Sequence, residues 1–192
     1  WQVAVEKSSI DFKIASSVLR KSFVNRLNKA NPIDMYFCNA DSGYIVGEKG
    51  LILKTIDGGC SWTPQKSYTQ VNLKSVYFIS SQKGFAIGDS ATLLFTQNGG
   101  YDWNSIQLDQ MSTPYDIHFI SSDTGYIAGL GTDLKSKRKI GVVLETTDGG
   151  INWNRAFATI GEPIFSIVTT ANGDLYFGGV SKLFHFQKTG QC

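Results

Sequence analysis

The sequence is poor in cysteine. Its three cysteines, Cys38, Cys60 and Cys192, allow at most one disulfide, and they form neither a Cys-x-x-Cys pair nor a zinc-binding spacing. We therefore predict no metal site and no cofactor. Cys60 and Cys192 fall near the tips of separate repeated hairpins, where neighbouring tips lie too far apart for a disulfide, so we expect free thiols.

Charge and long apolar runs are also scarce. The formal net charge is only +2, which argues against a nucleic-acid partner, and no run of about 20 apolar residues is present to form a transmembrane helix. What the chain does have is 42% hydrophobic residues, 12% aromatic residues and 20 glycines. These values are typical of a compact β protein with many turns.

One ten-residue phrase occurs three times, at 53–62, 94–103 and 144–153. Each copy has a threonine, an Asp or Asn, two glycines and a tryptophan. The residues predicted to form these hairpins are Asp57, Gly58, Gly59, Trp62, Asn98, Gly99, Gly100, Trp103, Asp148, Gly149, Gly150 and Trp153. Asx-Gly-Gly predicts a tight turn, because Gly tolerates positive φ and the Asx side chain bonds nearby amides. Asn98 replaces the acid in one copy, which favours a structural role over a catalytic one.

The repeat extends upstream of each turn and predicts four strands per copy. Trp62, Trp103 and Trp153 follow one another at intervals of 41 and 50 residues, as in the four-stranded blades of a β-propeller. We predict an all-β propeller of antiparallel blades in a single domain, 1–192. The repeats fall at 33–62, 73–103, 114–153 and, in a more divergent copy, 164–192.

The chain ends suggest how the ring closes. In the fourth copy the tryptophan position falls one residue beyond Cys192, and Trp1 is a candidate to fill it. A strand at 1–5 would then join the last blade and close a four-bladed ring. The alternative is a half-ring that is completed by a missing segment or by a second copy, as a homodimer.

The Thr-x-Asp-Gly-Gly-x-x-Trp phrase resembles the Asp-box, or bacterial neuraminidase repeat. With Gly43–Gly47 and Gly125–Gly129 ahead of it, the longer pattern is similar to the repeats of photosystem II stability and assembly factor-like propellers. The resemblance implies a binding or assembly scaffold, and an extracytoplasmic location. It leaves activity open, because the repeat also occurs in sialidases and receptors.

Two departures from the repeat are candidate binding segments. Residues 6–32 form an insertion with helical apolar spacing and a basic face that includes Arg20, Lys21 and Arg26. This face either docks on an acidic partner or membrane surface, or is simply solvated while the apolar face packs on the propeller. The segment 131–141 lengthens the third repeat and is either a flexible cationic tip for an anionic group or a solvated long hairpin. Its cations are Lys135, Lys137, Arg138 and Lys139.

A catalytic site is harder to find. Asp116 and His118 lie two apart on one predicted strand face and form a candidate acid/base or binding pair in the channel. A sialidase-like site is expected to need an arginine cluster, yet the chain has only four arginines, two of them in the insertion. We therefore predict a non-catalytic scaffold that binds a protein or glycan partner. The alternative is a carbohydrate-binding or degenerate sialidase-like glycoside hydrolase.

Overall fold

The fold was determined as a computed structural model that describes residues 30–133, 135–170 and 174–186. These residues form four antiparallel sheets, each contributed by a continuous stretch of chain. Blade 1 consists of β1 Pro32–Phe37, β2 Gly43–Gly47, β3 Ile52–Thr55 and β4 Thr63–Pro64, with a short 3-10 turn at Glu48–Gly50. Blade 2 consists of β5 Leu73–Phe78, β6 Gly84–Gly88, β7 Thr92–Thr96 and β8 Asn104–Gln107.

The second half of the described chain repeats this order. Blade 3 consists of β9 Thr113–Phe119, β10 Gly125–Thr132, β11 Lys139–Thr146 and β12 Asn154–Ile160. Blade 4 has three described strands, β13 Ile164–Thr169, β14 Leu175–Gly179 and β15 Leu183–Phe186. The predicted all-β propeller with four repeats is confirmed. The predicted closing strand 1–5, with Trp1, and most of the insertion 6–32 lie outside the described residues.

Strands β1, β5, β9 and β13 are innermost in their sheets and pack against one another in sequence order. The second strands of blades 1 and 2 are buried on both faces, since all five residues of β2 and of β6 are buried. The second strands of blades 3 and 4 are buried only in part. Glycine ends β2 and β6 for a steric reason. A Cβ at Gly47 would clash with the carbonyl of Asn31, and one at Gly88 with that of Asn72.

Three of the four hydrophobic clusters lie at joints between blades, and the fourth, around Ile45, Leu53 and Trp62, lies within blade 1. The joint of blades 1 and 2 is centred on Tyr44, Val46, Phe78 and Trp103. The joint of blades 2 and 3 is the largest and includes Phe85, Phe119 and Ile127. The joint of blades 3 and 4 contains Ala128, Val143, Ile167 and Phe177. Each blade is therefore stabilised mainly by its neighbours, as in other repeat proteins.

Candidate functional site

The antiparallel order gives the propeller two chemically different rims. One rim carries the links between blades and the hairpins between second and third strands; we call it the linker rim. The opposite rim carries the three Asx-Gly-Gly turns and is called the hairpin rim. Binding residues of a propeller lie mainly in such loops, because the side chains of the strands pack between blades.

The three Asx-Gly-Gly hairpins share one pattern of hydrogen bonds. The threonine hydroxyl accepts the N–H of the second glycine, at 2.9 Å in Thr55, 2.9 Å in Thr96 and 2.8 Å in Thr146. The Asx side chain accepts the backbone N–H four residues later at 2.8, 2.9 and 2.9 Å. These side chains hold the turn together and are engaged with local groups.

The two acids of these hairpins are held ionised. Hydrogen bonds from the side chain and backbone of Ser61, with one from Thr55, lower the pKa of Asp57 to about 2. Bonds from the backbone and side chain of Asn152 do the same for Asp148, whose pKa is also about 2. A carboxyl with so low a pKa is poorly matched to general acid or base work near neutral pH.

The middle hairpin also contacts the blade before it. The carbonyl oxygen of Gly99 accepts the Tyr44 hydroxyl at 2.8 Å and the Lys54 ammonium at 2.7 Å. The Tyr44 ring stacks on Phe78 with ring centroids 3.8 Å apart. The repeat turn thus serves as an inter-blade contact, which the sequence analysis did not anticipate.

Two aspartates on the inner strands bond to the next blade. Asp34 Oδ2 accepts the Val76 N–H at 2.9 Å, and Asp116 Oδ2 accepts the Ile167 N–H at 2.7 Å. Ser75 occupies the equivalent position in blade 2 and donates its hydroxyl to Asp116 Oδ1 at 3.3 Å. Of these residues, the sequence analysis assigned Asp116 to the channel, in a candidate pair with His118. Their shared repeat position, two residues before a Tyr or His, was the signal for this inter-blade role.

The candidate pair Asp116 and His118 faces blade 4, and each side chain has its own partner. Burial raises the pKa of Asp116, with the bonds from Ile167 and Ser75 opposing that effect. His118 Nε2 lies 3.0 Å from the Thr169 hydroxyl, and burial lowers the pKa of its imidazole. The structure therefore places both side chains in the joint of blades 3 and 4, where their hydrogen bonds connect adjacent blades.

The basic segment lies at the end of a long hairpin on the linker rim. Strands β10 and β11 pair from Gly125 with Thr146 to Thr132 with Lys139. Asp133 organises the tip, because its carboxylate accepts the Ser136 N–H at 2.6 Å and its carbonyl accepts the Lys137 N–H at 2.9 Å. Lys135, Lys137, Arg138 and Lys139 are all exposed. The structure thus brings the four predicted cations together on one projecting tip, the basic hairpin.

The described loops of the two rims differ in charge. The linker rim carries seven cations, Lys49, Lys66, Lys135, Lys137, Arg138, Lys139 and Lys182, and five acids, Glu48, Asp89, Asp109, Asp133 and Glu162. The turns of the hairpin rim carry six acids, Asp41, Asp57, Asp102, Asp123, Asp148 and Asp174, and one cation, Lys83. An approaching charged partner therefore meets opposite fields at the two rims.

Several predicted residues lie outside the described part of the chain, namely Arg20, Lys21, Arg26 and Cys192. Cys38 and Cys60 are free thiols, the first half-buried and the second exposed. Within 30–133, 135–170 and 174–186, no group of three or more His, Cys, Asp or Glu side chains is arranged to hold a metal ion. The same residues contain no helix that is long and apolar enough to span a membrane.

The comparisons with known proteins agree with this architecture. A family model for the photosynthesis system II assembly factor YCF48 matches residues 21–112, a little under half of the chain. No curated protein sequence matches. Among solved structures, YCF48 bound to D1 peptide is similar with a TM-score of 0.66 and 22% identity, over 84% of this chain and 52% of that one.

Two further structures extend the comparison. YCF48 from Cyanidioschyzon merolae has a TM-score of 0.65 and 19% identity, over 84% of this chain and 54% of that one. A GH74 enzyme from Niastella koreensis has a TM-score of 0.61 and 18% identity, over 78% of this chain and 26% of that one. The chain spans about half the length of the YCF48 structures, and at these identities the likeness concerns the fold.

Proposed function

We propose that this BNR-type propeller, which is close to the photosystem II assembly factor family, is a non-catalytic scaffold that binds an acidic segment of a partner protein through the basic hairpin. The basic hairpin is the observation that carries the proposal. Four exposed cations lie within five positions, and hydrogen bonds from Ser136 and Lys137 to Asp133 bring them together at one tip. A carboxylate-rich segment can contact such clustered cations together.

Two further observations support a protein partner. One of the similar solved structures is YCF48 bound to D1 peptide, so a propeller of this repeat type can hold a peptide. The candidate acids and the imidazole of the inner strands are engaged in inter-blade hydrogen bonds. The cations of the basic hairpin, by contrast, all face solvent.

A peptide-binding measurement tests the proposal. The probe is a fluorescein-labelled ten-residue peptide rich in glutamate, titrated with the full chain and followed by fluorescence anisotropy at two salt concentrations. The hairpin variant changes Lys135, Lys137, Arg138 and Lys139 to glutamine. A matched control changes four lysines from other loops to glutamine, and these are Lys49, Lys66, Lys83 and Lys182.

We expect the hairpin variant to lose at least about tenfold in affinity, and the control to lose much less, because the clustered cations bind the peptide together. Wild-type binding should weaken as salt rises, since exposed charges are screened. Equal losses in both variants would show an effect of net charge alone and would contradict the proposed site. Binding of a heparin fragment without binding of the peptide would favour the glycan alternative.

We also propose an extracytoplasmic location, which the resemblance to secreted propellers supports. The native protein should fractionate with periplasmic or extracellular material in its own host. Co-fractionation with a cytoplasmic marker enzyme would contradict this location.

A further inference from the structure

The outer edge of blade 3 differs from the outer edges of blades 1 and 2. Its outermost strand, β12, has seven residues, whereas β8 has four and β4 has two, of which Pro64 has no N–H to donate. Short length, proline and charged side chains are the usual means by which an edge strand is kept from pairing. Residues 156–160 of β12 contain neither proline nor a charged side chain. Strand β12 therefore has the features of an edge that can accept a further strand.

The backbone of β12 presents hydrogen-bonding groups along this edge. Among the described residues, β12 pairs only with β11. The Gly161 N–H donates to the Lys139 carbonyl at 3.1 Å, and Ile160 lies opposite Ile140. Because bonded and non-bonded pairs alternate along an antiparallel ladder, the N–H and C=O groups of Ala158 and Ile160 point away from β11. Both residues are exposed, Ile160 at 69%.

The same strand is fixed to its neighbour by one face. The Phe157 ring contacts Phe184 and Phe186 of blade 4, with ring centroids 5.1 and 5.2 Å apart. Blade 3 lies between two described blades and shares a hydrophobic cluster with each of them. The edge of β12 is thus held in place by packing, and an added strand would not have to order it.

The basic hairpin lies at the linker-rim end of this edge. Strand β12 ends at Ile160, opposite Ile140, and Lys139 begins β11 one residue further out. Since neighbouring strands are about 4.8 Å apart, a strand added beside β12 would lie about 10 Å from β11. An acidic residue at the linker-rim end of that strand would meet the cations of the hairpin. The acid of the adjacent link, Glu162, is engaged by the hydroxyl and the N–H of Ser181.

We propose that the acidic partner segment binds as an extended fifth strand of blade 3, along the outer edge of β12, with its acidic residues at the linker-rim end. This inference rests on the proposed function of the basic hairpin and adds the conformation of the bound segment. The backbone groups of Ala158 and Ile160 hold the segment whatever its side chains are, and the hairpin cations select acidic residues.

A proline in β12 tests the added strand. Ala158→Pro removes an outward N–H and places a ring against the incoming strand, while the bonds to β11 remain. In the anisotropy titration with the labelled glutamate-rich peptide, this variant should bind at least about fivefold more weakly, which corresponds to one net hydrogen bond. Circular dichroism and thermal unfolding check that the variant is folded.

Ser105→Pro is the matched control. The Leu108 N–H donates to the Ala91 carbonyl at 2.9 Å, as that of Gly161 does to Lys139, so Ser105 in β8 is equivalent to Ala158. Ser105 is also exposed. This variant should bind the peptide as the wild type does.

A modified peptide tests the same contact from the other side. N-methyl groups on its four central residues keep every charge and remove the N–H donors of both strand edges. The modified peptide should bind the wild type at least about fivefold more weakly, and Ala158→Pro should add little to that loss, because both changes remove the same ladder. Hydrogen exchange of the Ala158 and Ile160 N–H groups should slow when the unmodified peptide binds, while that of Thr159, which faces β11, should not change.

The outcomes separate the added strand from the basic hairpin. If the hairpin variant loses binding while Ala158→Pro and the N-methylated peptide bind normally, the added strand is wrong and the hairpin site stands. If the wild type does not bind the peptide at all, both proposals are wrong. Equal losses in the two proline variants would show a general loss of stability and would overturn the added strand. Self-association in light scattering that Ala158→Pro abolishes would assign the edge to a second copy and would also overturn it.

Discussion

The carbonyl oxygen of Gly99 accepts hydrogen bonds from two side chains of the preceding blade. We therefore predict how much each side chain contributes to the free energy of unfolding. Tyr44 donates at 2.8 Å from a buried position, and Lys54 donates at 2.7 Å. In Tyr44→Phe the ring still stacks on Phe78 while the carbonyl keeps the lysine. In Lys54→Met the aliphatic chain remains and the carbonyl keeps the tyrosine.

Each single variant therefore loses one hydrogen bond, and the Gly99 carbonyl oxygen keeps the other. We expect Tyr44→Phe to lower the free energy of unfolding by about 1 kcal/mol, and Lys54→Met by about 1.5–3 kcal/mol because its donor is charged. The double variant removes both of the carbonyl's side-chain donors, which adds a desolvation cost of about 1–3 kcal/mol. The loss in the double variant should thus exceed the sum of the single losses by at least about 1 kcal/mol.

Urea unfolding, followed by both circular dichroism and tryptophan fluorescence, measures these quantities. In thermal unfolding, each kcal/mol corresponds to about 2–4 °C for a chain of this size. The control pair is Tyr101→Phe with Lys66→Met, both at exposed positions, and its effects should be small and additive. Additive losses for Tyr44 and Lys54 would refute the shared acceptor.

Three further predictions concern the Asx-Gly-Gly hairpins and the half-buried Tyr36. Thr96→Val should destabilise the chain by about 1–3 kcal/mol in urea unfolding, because the Gly100 N–H loses its acceptor, while Thr96→Ser should cost much less. The low pKa of Asp57 and Asp148 stabilises the folded state above the unfolded pKa of about 4 and is lost as pH falls towards 2, so carboxyl NMR titration midpoints near 4 would contradict the hairpin bonds. Burial and proximity to Tyr77 raise the pKa of Tyr36 to about 12, so this contribution to stability is present below pH 10 and is lost between about 10 and 12. Burial also raises the pKa of Tyr44 and Tyr126, so ultraviolet titration should show a group of late-ionising tyrosines, and Tyr36→Phe should reduce that group by one.

The sequence predicted the all-β propeller and its four repeats because turn chemistry is local. Thr55, Asp57 and Gly59 lie within five residues, and their bonds form within that span. The predicted repeats ended at the tryptophans, whereas the structure extends blades 2 and 3 to Gln107 and Ile160. The outermost strands have weak apolar patterns, since one face and one edge of each meets solvent.

The conformation of the basic segment, residues 131–141, could not be predicted from the sequence. Gly131 and Gly141 flank the cations in the sequence. This pattern fits a flexible tip and a long hairpin equally well. In the structure both glycines lie inside paired strands, Gly131 opposite Ile140 and Gly141 opposite Leu130. A Cβ at Gly131 would clash with the Val142 side chain, so packing within the sheet requires glycine here. Such long-range constraints leave no signature in local spacing.

The joints between blades differ in the pair of side chains that the second and third strands of a blade present to the next blade. Tyr44 and Lys54 both donate into the next hairpin, Phe85 and Phe95 form an apolar pair at the equivalent place, and in blade 3 the Tyr126 hydroxyl donates to Glu145 at 2.8 Å. A blade placed beside the wrong neighbour would leave a lysine or a carboxylate facing an apolar surface, at a cost of several kcal/mol. The repeated turn therefore builds each blade, while the variable joint chemistry fixes the order of the blades.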